Sequence, residues 1–100
     1  MRRGPASQKF GKNLGWSIEF VETAKRELRK LDRQWQSKIL DYLEEVAELG
    51  DPHVRGKALA GDKQGLWRYR IGDYRVICKL EDGRLVILVL SVGHRREIYD

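Results

Sequence analysis

The sequence predicts an α+β fold: an N-terminal strand and a two-helix hairpin packed on a mostly antiparallel four-stranded sheet, in the order β-α-α-β-β-β. Three observations carry this reading. Apolar residues between positions 24 and 47 recur at helical spacing. Beyond residue 65 come three strand-like runs, separated by Gly72-Asp73 and Asp82-Gly83, dipeptides that favour tight hairpins. A short alternating run, Trp16-Ser17-Ile18-Glu19-Phe20, precedes the helices.

Residues 1–15 carry four basic residues, no acid, three Gly and one Pro, and read as a flexible basic extension ahead of a single domain spanning 16–100. Thr23 is positioned to cap a first helix whose apolar positions are Ala24, Leu28 and Leu31. Asp32 is positioned to cap a second, with Trp35, Ile39, Tyr42, Leu43, Val46 and Ala47 on one buried face. Gly50-Asp51-Pro52 ends it. Residues 53–65 read as loop. Strands are expected at 66–71, 74–80 and 84–92; the last is apolar on both faces and is therefore central.

One hundred residues suffice for one core. No apolar run approaches the roughly 20 residues of a membrane-spanning helix, and the N-terminus lacks a signal peptide's apolar region, so no membrane partner is expected. The lone Cys78 excludes an intramolecular disulfide framework and suggests a reducing, cytoplasmic compartment. The net charge of +5 is unevenly spread: residues 16–51 hold six basic and nine acidic residues, residues 52–100 ten basic and six acidic. A basic β half points to a polyanionic partner, most simply nucleic acid.

The stretch Arg68-Tyr69-Arg70-Ile71-Gly72-Asp73-Tyr74-Arg75 sharpens that point. With Gly72-Asp73 at the turn, Ile71 pairs with Tyr74, Arg70 with Arg75 and Arg68 with Ile77. Alternation then puts Arg68, Arg70 and Arg75 on one face and Trp67, Tyr69, Ile71, Tyr74, Val76 and Cys78 on the core face. Arg70 opposite Arg75 is a like-charge pair that costs up to about 1 kcal/mol. Such a pair suits a phosphate-holding surface, because each guanidinium offers bidentate hydrogen bonds to phosphate oxygens. Carboxylates such as Glu97 or Asp62 lying over the face would instead neutralise it. In the second hairpin, with Asp82-Gly83 as a two-residue turn, Leu80 pairs with Leu85 and Arg75 with Leu90. The turn allowed by Gly93 then brings His94, Arg95, Arg96 and Tyr99 to the rim of the arginine face.

No metal-ligand spacing, nucleophile elbow or P-loop is present, so no metal or cofactor is expected. Cys78 on the core face reads as a small buried hydrophobe. Arginines with a histidine and a tyrosine suit metal-independent cleavage of RNA. The 2′-hydroxyl attacks the adjacent phosphate, arginines stabilise the added charge, His94 is the side chain titrating near neutrality, and Tyr99 can stack on a base.

The segment from Leu66 to Tyr99, with its Tyr-Arg at 74–75 and Val-Gly-His-Arg at 92–95 followed by Ile98-Tyr99, resembles the RelE/ParE superfamily of bacterial toxins, the RelE branch best. The likeness spans about 16–99. It implies a RelE-like fold and the toxin of a type II toxin–antitoxin system, a ribosome-dependent endoribonuclease that cleaves mRNA in the ribosomal A site and is held by a cognate antitoxin. By position, Arg68 and Arg70 correspond to two strand-borne basic residues. Arg75 corresponds to the phosphate-binding arginine, Arg95 to a leaving-group acid or transition-state stabiliser, and Tyr99 to a stacking tyrosine. Arg96 joins Arg68, Arg70 and Arg75 as an RNA-phosphate contact. The resemblance also implies lysines at 68 and 70, the second acting as general base. Arginine stays protonated and is a poor base, which turns attention to His94. The alternatives are a ParE-like non-catalytic toxin that binds DNA gyrase, and a module whose arginines only hold an acidic antitoxin segment.

Overall fold

Both ends of the described chain meet in one sheet. The computed structural model describes residues 15–95, so the expected 1–15 extension lies, but for Gly15, outside the described residues. Strand β1 (Ser17–Phe20) leads through α1 (Glu22–Arg29) and α2 (Arg33–Glu48) to β2 (Lys57–Ala58), β3 (Trp67–Ile71), β4 (Tyr74–Glu81) and β5 (Val86–His94). The sheet order is β1-β5-β4-β3-β2, with β1 parallel to β5 and every other pair antiparallel.

The α+β class and the central place of the last strand are as expected, but the sheet has five strands rather than four. The added strand, β2, lies in what reads as loop from sequence. Two residues are too few to show alternation, so β2 is held by its neighbours instead. The Trp67 indole N–H donates to Arg55 O at 2.7 Å, and the Tyr69 hydroxyl donates to Pro52 O at 2.7 Å. Gly56, at φ 77°, approaches β3 so closely that a Cβ there would lie 2.4 Å from Arg68 O.

The core lies between the helices and one face of the sheet. Ala24, Leu28, Ile39, Leu43, Val46 and Ala47 pack on Ile18, Tyr69, Ile71, Val76, Cys78, Ile87, Val89 and Val92. Helix α1 starts earlier than expected: Val21, not Thr23, precedes its first turn. Asp32 does precede α2, but its side chain makes no capping hydrogen bond. Beyond the four residues of β1, the outer edge of β5 passes to α1, whose Glu27 carboxylate accepts from the Val92 N–H at 2.8 Å and from the Ser91 hydroxyl at 3.3 Å. A strand edge without a neighbouring strand leaves backbone donors to be satisfied, and this carboxylate serves one of them.

The β3–β4 register is the expected one at every pair, including Arg70 opposite Arg75. The β4–β5 register differs. Residues 82–85 form a four-residue connection, Glu81 pairs with Val86 and Leu80 with Ile87. A bulge then intervenes: Cys78 pairs with Val89 but Ile77 with Ser91, leaving Leu90 as the extra residue. Arg75 consequently faces Gly93 rather than Leu90.

Candidate functional site

The side of the sheet away from the helices carries the arginines. Cross-strand partners share a face, so Lys57, Arg68, Ile77 and Ser91 form one row, and Arg70, Arg75 and Gly93 the next. Arg68 and Arg75 are 9% and 8% exposed, while Arg70 is exposed. The Arg75 guanidinium donates to Tyr74 O at 3.5 Å. The residue beside it in β5 is Gly93. Arg95 is exposed at the same end, and its backbone N–H donates to Asp73 O at 2.8 Å, which ties the end of β5 to the β3–β4 turn.

Beneath that turn an aromatic stack rises from α2. Trp35 and Tyr74 have ring centroids 4.9 Å apart, and Tyr74 and His94 meet edge to face at 5.6 Å. Lys38 Nζ sits 4.6 Å from the Trp35 ring centroid. Gly72 has φ 60°, and a Cβ there would lie 2.5 Å from the Trp35 ring. The turn therefore needs glycine for both its conformation and its space.

His94 belongs to this stack and not to the arginine face. The bulge at Leu90 reverses the alternation, so Val92 and His94 turn toward the core side, and His94 pairs with Tyr74 and stands in the row of Ile71. This corrects the expectation that Gly93 brings His94 to the arginine rim. The buried positions of β5 show the extra residue. The apolar core positions Ile87, Val89 and Val92 are spaced by two and then by three, and that extra residue marks a bulge. Arg96 and Tyr99 lie outside the described residues.

The structure thus gathers Arg68, Arg70 and Arg75 on one face with Arg95 at its end. Lys57, from a segment that reads as loop in the sequence, joins them. Elsewhere cations meet carboxylates: Arg55 pairs with Glu45 at 3.0 Å, and Arg84 with Glu81 and, at 3.5 Å, with Glu19. Among the described residues no carboxylate forms an ion pair with Arg70, Arg95 or Lys57, Asp62 included. Cys78 is fully buried, and burial pushes its thiol well above the ordinary range. Burial likewise raises the Tyr69 phenol, so neither group ionises near neutrality. Among the described residues no three His, Cys, Asp or Glu side chains converge on a metal position, and no helix is long and apolar enough to cross a membrane.

A helix hairpin on one side of a sheet and an arginine face on the other define a small basic α+β domain, and comparison with known proteins supplies its family. The family model for the ParE toxin of type II toxin–antitoxin systems matches residues 18–99, and the chain belongs to that family, within the RelE/ParE superfamily. It is 28% identical to toxin RelG of Mycobacterium tuberculosis over 86% of this chain and 98% of the relative. It is 29% identical to toxin RelE of the same organism, over 84% of this chain and 86% of the relative. Among solved structures, the RelBE2 toxin–antitoxin complex of M. tuberculosis matches with a TM-score of 0.74 at 25% identity, covering 82% of this chain and all of the matched one. A double arginine-to-alanine mutant of E. coli toxin RelE in the free state matches with a TM-score of 0.70 at 26% identity, over 84% of this chain and 87% of that one. The chain is a RelE-like toxin of a toxin–antitoxin system.

Proposed function

We propose that this toxin is a ribosome-dependent endoribonuclease that cleaves mRNA in the A site. One observation carries the reading: Arg68, Arg70 and Arg75 share a face, with Gly93 across from Arg75 and Arg95 at the same end. In the reaction the ribose 2′-oxygen bonds to the adjacent phosphorus as its proton passes to water, and the bond to the 5′-oxygen breaks as that oxygen takes up a proton, leaving a cyclic phosphate and a 5′-hydroxyl. Negative charge grows on the phosphoryl oxygens along the way. Fixed guanidinium donors aimed there favour the transition state over the ground state. Arg70 and Arg75 take that task, Arg68 holds the flanking backbone, and Arg95 serves the departing 5′-oxygen. Arg96 and Tyr99 complete the proposal as a phosphate contact and a base-stacking ring. His94 enters it through its contact with Tyr74 rather than as proton acceptor, because it stands on the other side of the sheet. The partner in the cytoplasm is a cognate antitoxin, as the RelBE2 complex of M. tuberculosis has for its toxin.

Induced expression with mapping of mRNA 5′ ends, in the presence and absence of ribosomes, tests the reading. New ends within codons are expected for the wild type. Arg75→Ala should reduce cleavage about 100-fold or more, and Arg75→Lys separates lost charge from lost packing. Loss of toxicity in Arg75→Ala and Arg95→Ala with antitoxin binding intact excludes a pure binding module. The matching family model favours one second reading, a ParE-like toxin acting on DNA gyrase. DNA-damage signalling without new RNA ends would select it.

A further inference from the structure

The arginine face does not stop at β3. Strand β2 pairs antiparallel with it, Lys57 opposite Arg68 and Ala58 opposite Trp67. Trp67 lies on the core side, so Lys57 lies with Arg68 on the arginine side, in the row beside Arg70 and Arg75. Directly opposite residues stand about 5 Å apart at Cβ. Lys57 thus extends the basic surface one strand outward and diagonally away from Arg75.

Its place is built rather than incidental. The preceding residue, Gly56, packs against Arg68 O, Trp67 and Tyr69 with no room for a Cβ. Arg55 is fixed from both sides: its carbonyl accepts from Trp67, and its guanidinium pairs with Glu45 and lies 5.6 Å from the Tyr42 ring centroid. The backbone is pinned on both sides of β2, with Leu59 N donating to Leu66 O at 3.0 Å. The Lys57 ammonium itself is exposed and, among the described residues, forms no ion pair. An exposed cation held on a pinned strand is useful for a polyanion.

We infer that Lys57 and Arg68 form a second phosphate subsite, which takes a backbone phosphate of single-stranded RNA next to the one held by Arg70 and Arg75. The inference rests on the RNA reading of the same face and adds the direction in which the strand leaves it: outward over β2. Lysine suits an outer position, since a flexible point charge can follow a mobile phosphate without fixed bidentate geometry.

The test measures binding rather than cleavage. Anisotropy of a fluorescent single-stranded RNA of about ten nucleotides, 2′-O-methylated so that it cannot be cut, is followed against salt for the full chain. Lys57→Ala is expected to weaken binding about fourfold near physiological salt and to lower the slope of log K against log salt by about 0.7. Lys57→Arg should restore both, and Lys30→Ala, at the end of α1 on the other side of the sheet, should change neither. An unchanged slope in Lys57→Ala, an equal loss in Lys30→Ala, or no restoration by arginine overturns the subsite. RNA binding that depends on Lys57 in a chain that never produces mRNA ends would keep the subsite and sink the nuclease reading.

Discussion

The two hairpins of this sheet share a strand and differ in what fixes them. The β3–β4 turn is two residues long, with Gly72 at φ 60° lying against Trp35. Its register follows from local turn chemistry, and a ring on α2 enforces it. The β4–β5 connection is four residues long and open. Leu85 holds φ 56° while 43% exposed, and a Cβ on Gly83 would meet nothing within 4 Å. Its register is set farther away, by the parallel pairing of β1 with β5, by the bulge at Leu90 and by Glu27 on the β5 edge. A short turn encodes its own pairing; a long one leaves the pairing to the rest of the fold. Here the remote control decides which residue faces Arg75.

The largest expected effect tests the locally fixed hairpin. Gly72→Ala must accept a left-handed conformation, at about 1 kcal/mol, and push against an indole, at about 2 kcal/mol more. A loss of about 3 kcal/mol in urea unfolding is expected, while Gly83→Ala should change stability by no more than about 0.5 kcal/mol. Equal effects would erase the distinction between the hairpins.

Glu27→Ala probes the remote control next. It strands the Val92 N–H, which Glu27 accepts at 2.8 Å, and should cost about 2 kcal/mol, as lost hydrogen bonds to charged groups do. Amide exchange should accelerate at Val92 and Gly93 before it does at Tyr69 or Val76. Uniform acceleration would show that the β5 edge is not held separately. A smaller effect of opposite sign is expected at Leu85. Leu85→Gly relieves the positive φ but gives up a half-exposed side chain, for a net gain of about 0.5 kcal/mol, read as a raised unfolding midpoint.

The same division explains what the chain's letters revealed. Alternation around Gly72-Asp73 was enough to place Arg68, Arg70 and Arg75 together, because turn and pattern agree. Helix α2 was legible because Ile39, Leu43, Val46 and Ala47 recur at helical spacing on one face. Strand β2 was not, since two residues show no period and what holds it, the contacts of Trp67, Tyr69 and Gly56, is tertiary. The bulge was missed because Leu85–Leu90 is apolar throughout, and a uniform run gives no phase from which to notice one extra residue. With the phase lost after Leu90, the facing of His94 was lost too.

His94 is therefore where the two hairpins can be compared with the finest effect. It ends β5, whose register is set remotely, and meets Tyr74, the first residue of the locally fixed hairpin. If its value to the toxin lies in that edge-to-face contact, a phenylalanine supplies an aromatic ring of similar reach without the imidazole nitrogens. Aromatic pairs of this kind are worth about 1 kcal/mol. His94→Phe should then cleave mRNA within about threefold of the wild type, by the same arithmetic that equates 1.4 kcal/mol with a factor of ten. His94→Ala should lose somewhat more, as the end of β5 and Arg95 with it move more freely against Asp73. The pH profile of cleavage should keep its shape in the phenylalanine variant. Loss of one limb of that profile, with stability intact, would return His94 to proton transfer and require the end of β5 to turn over when RNA binds.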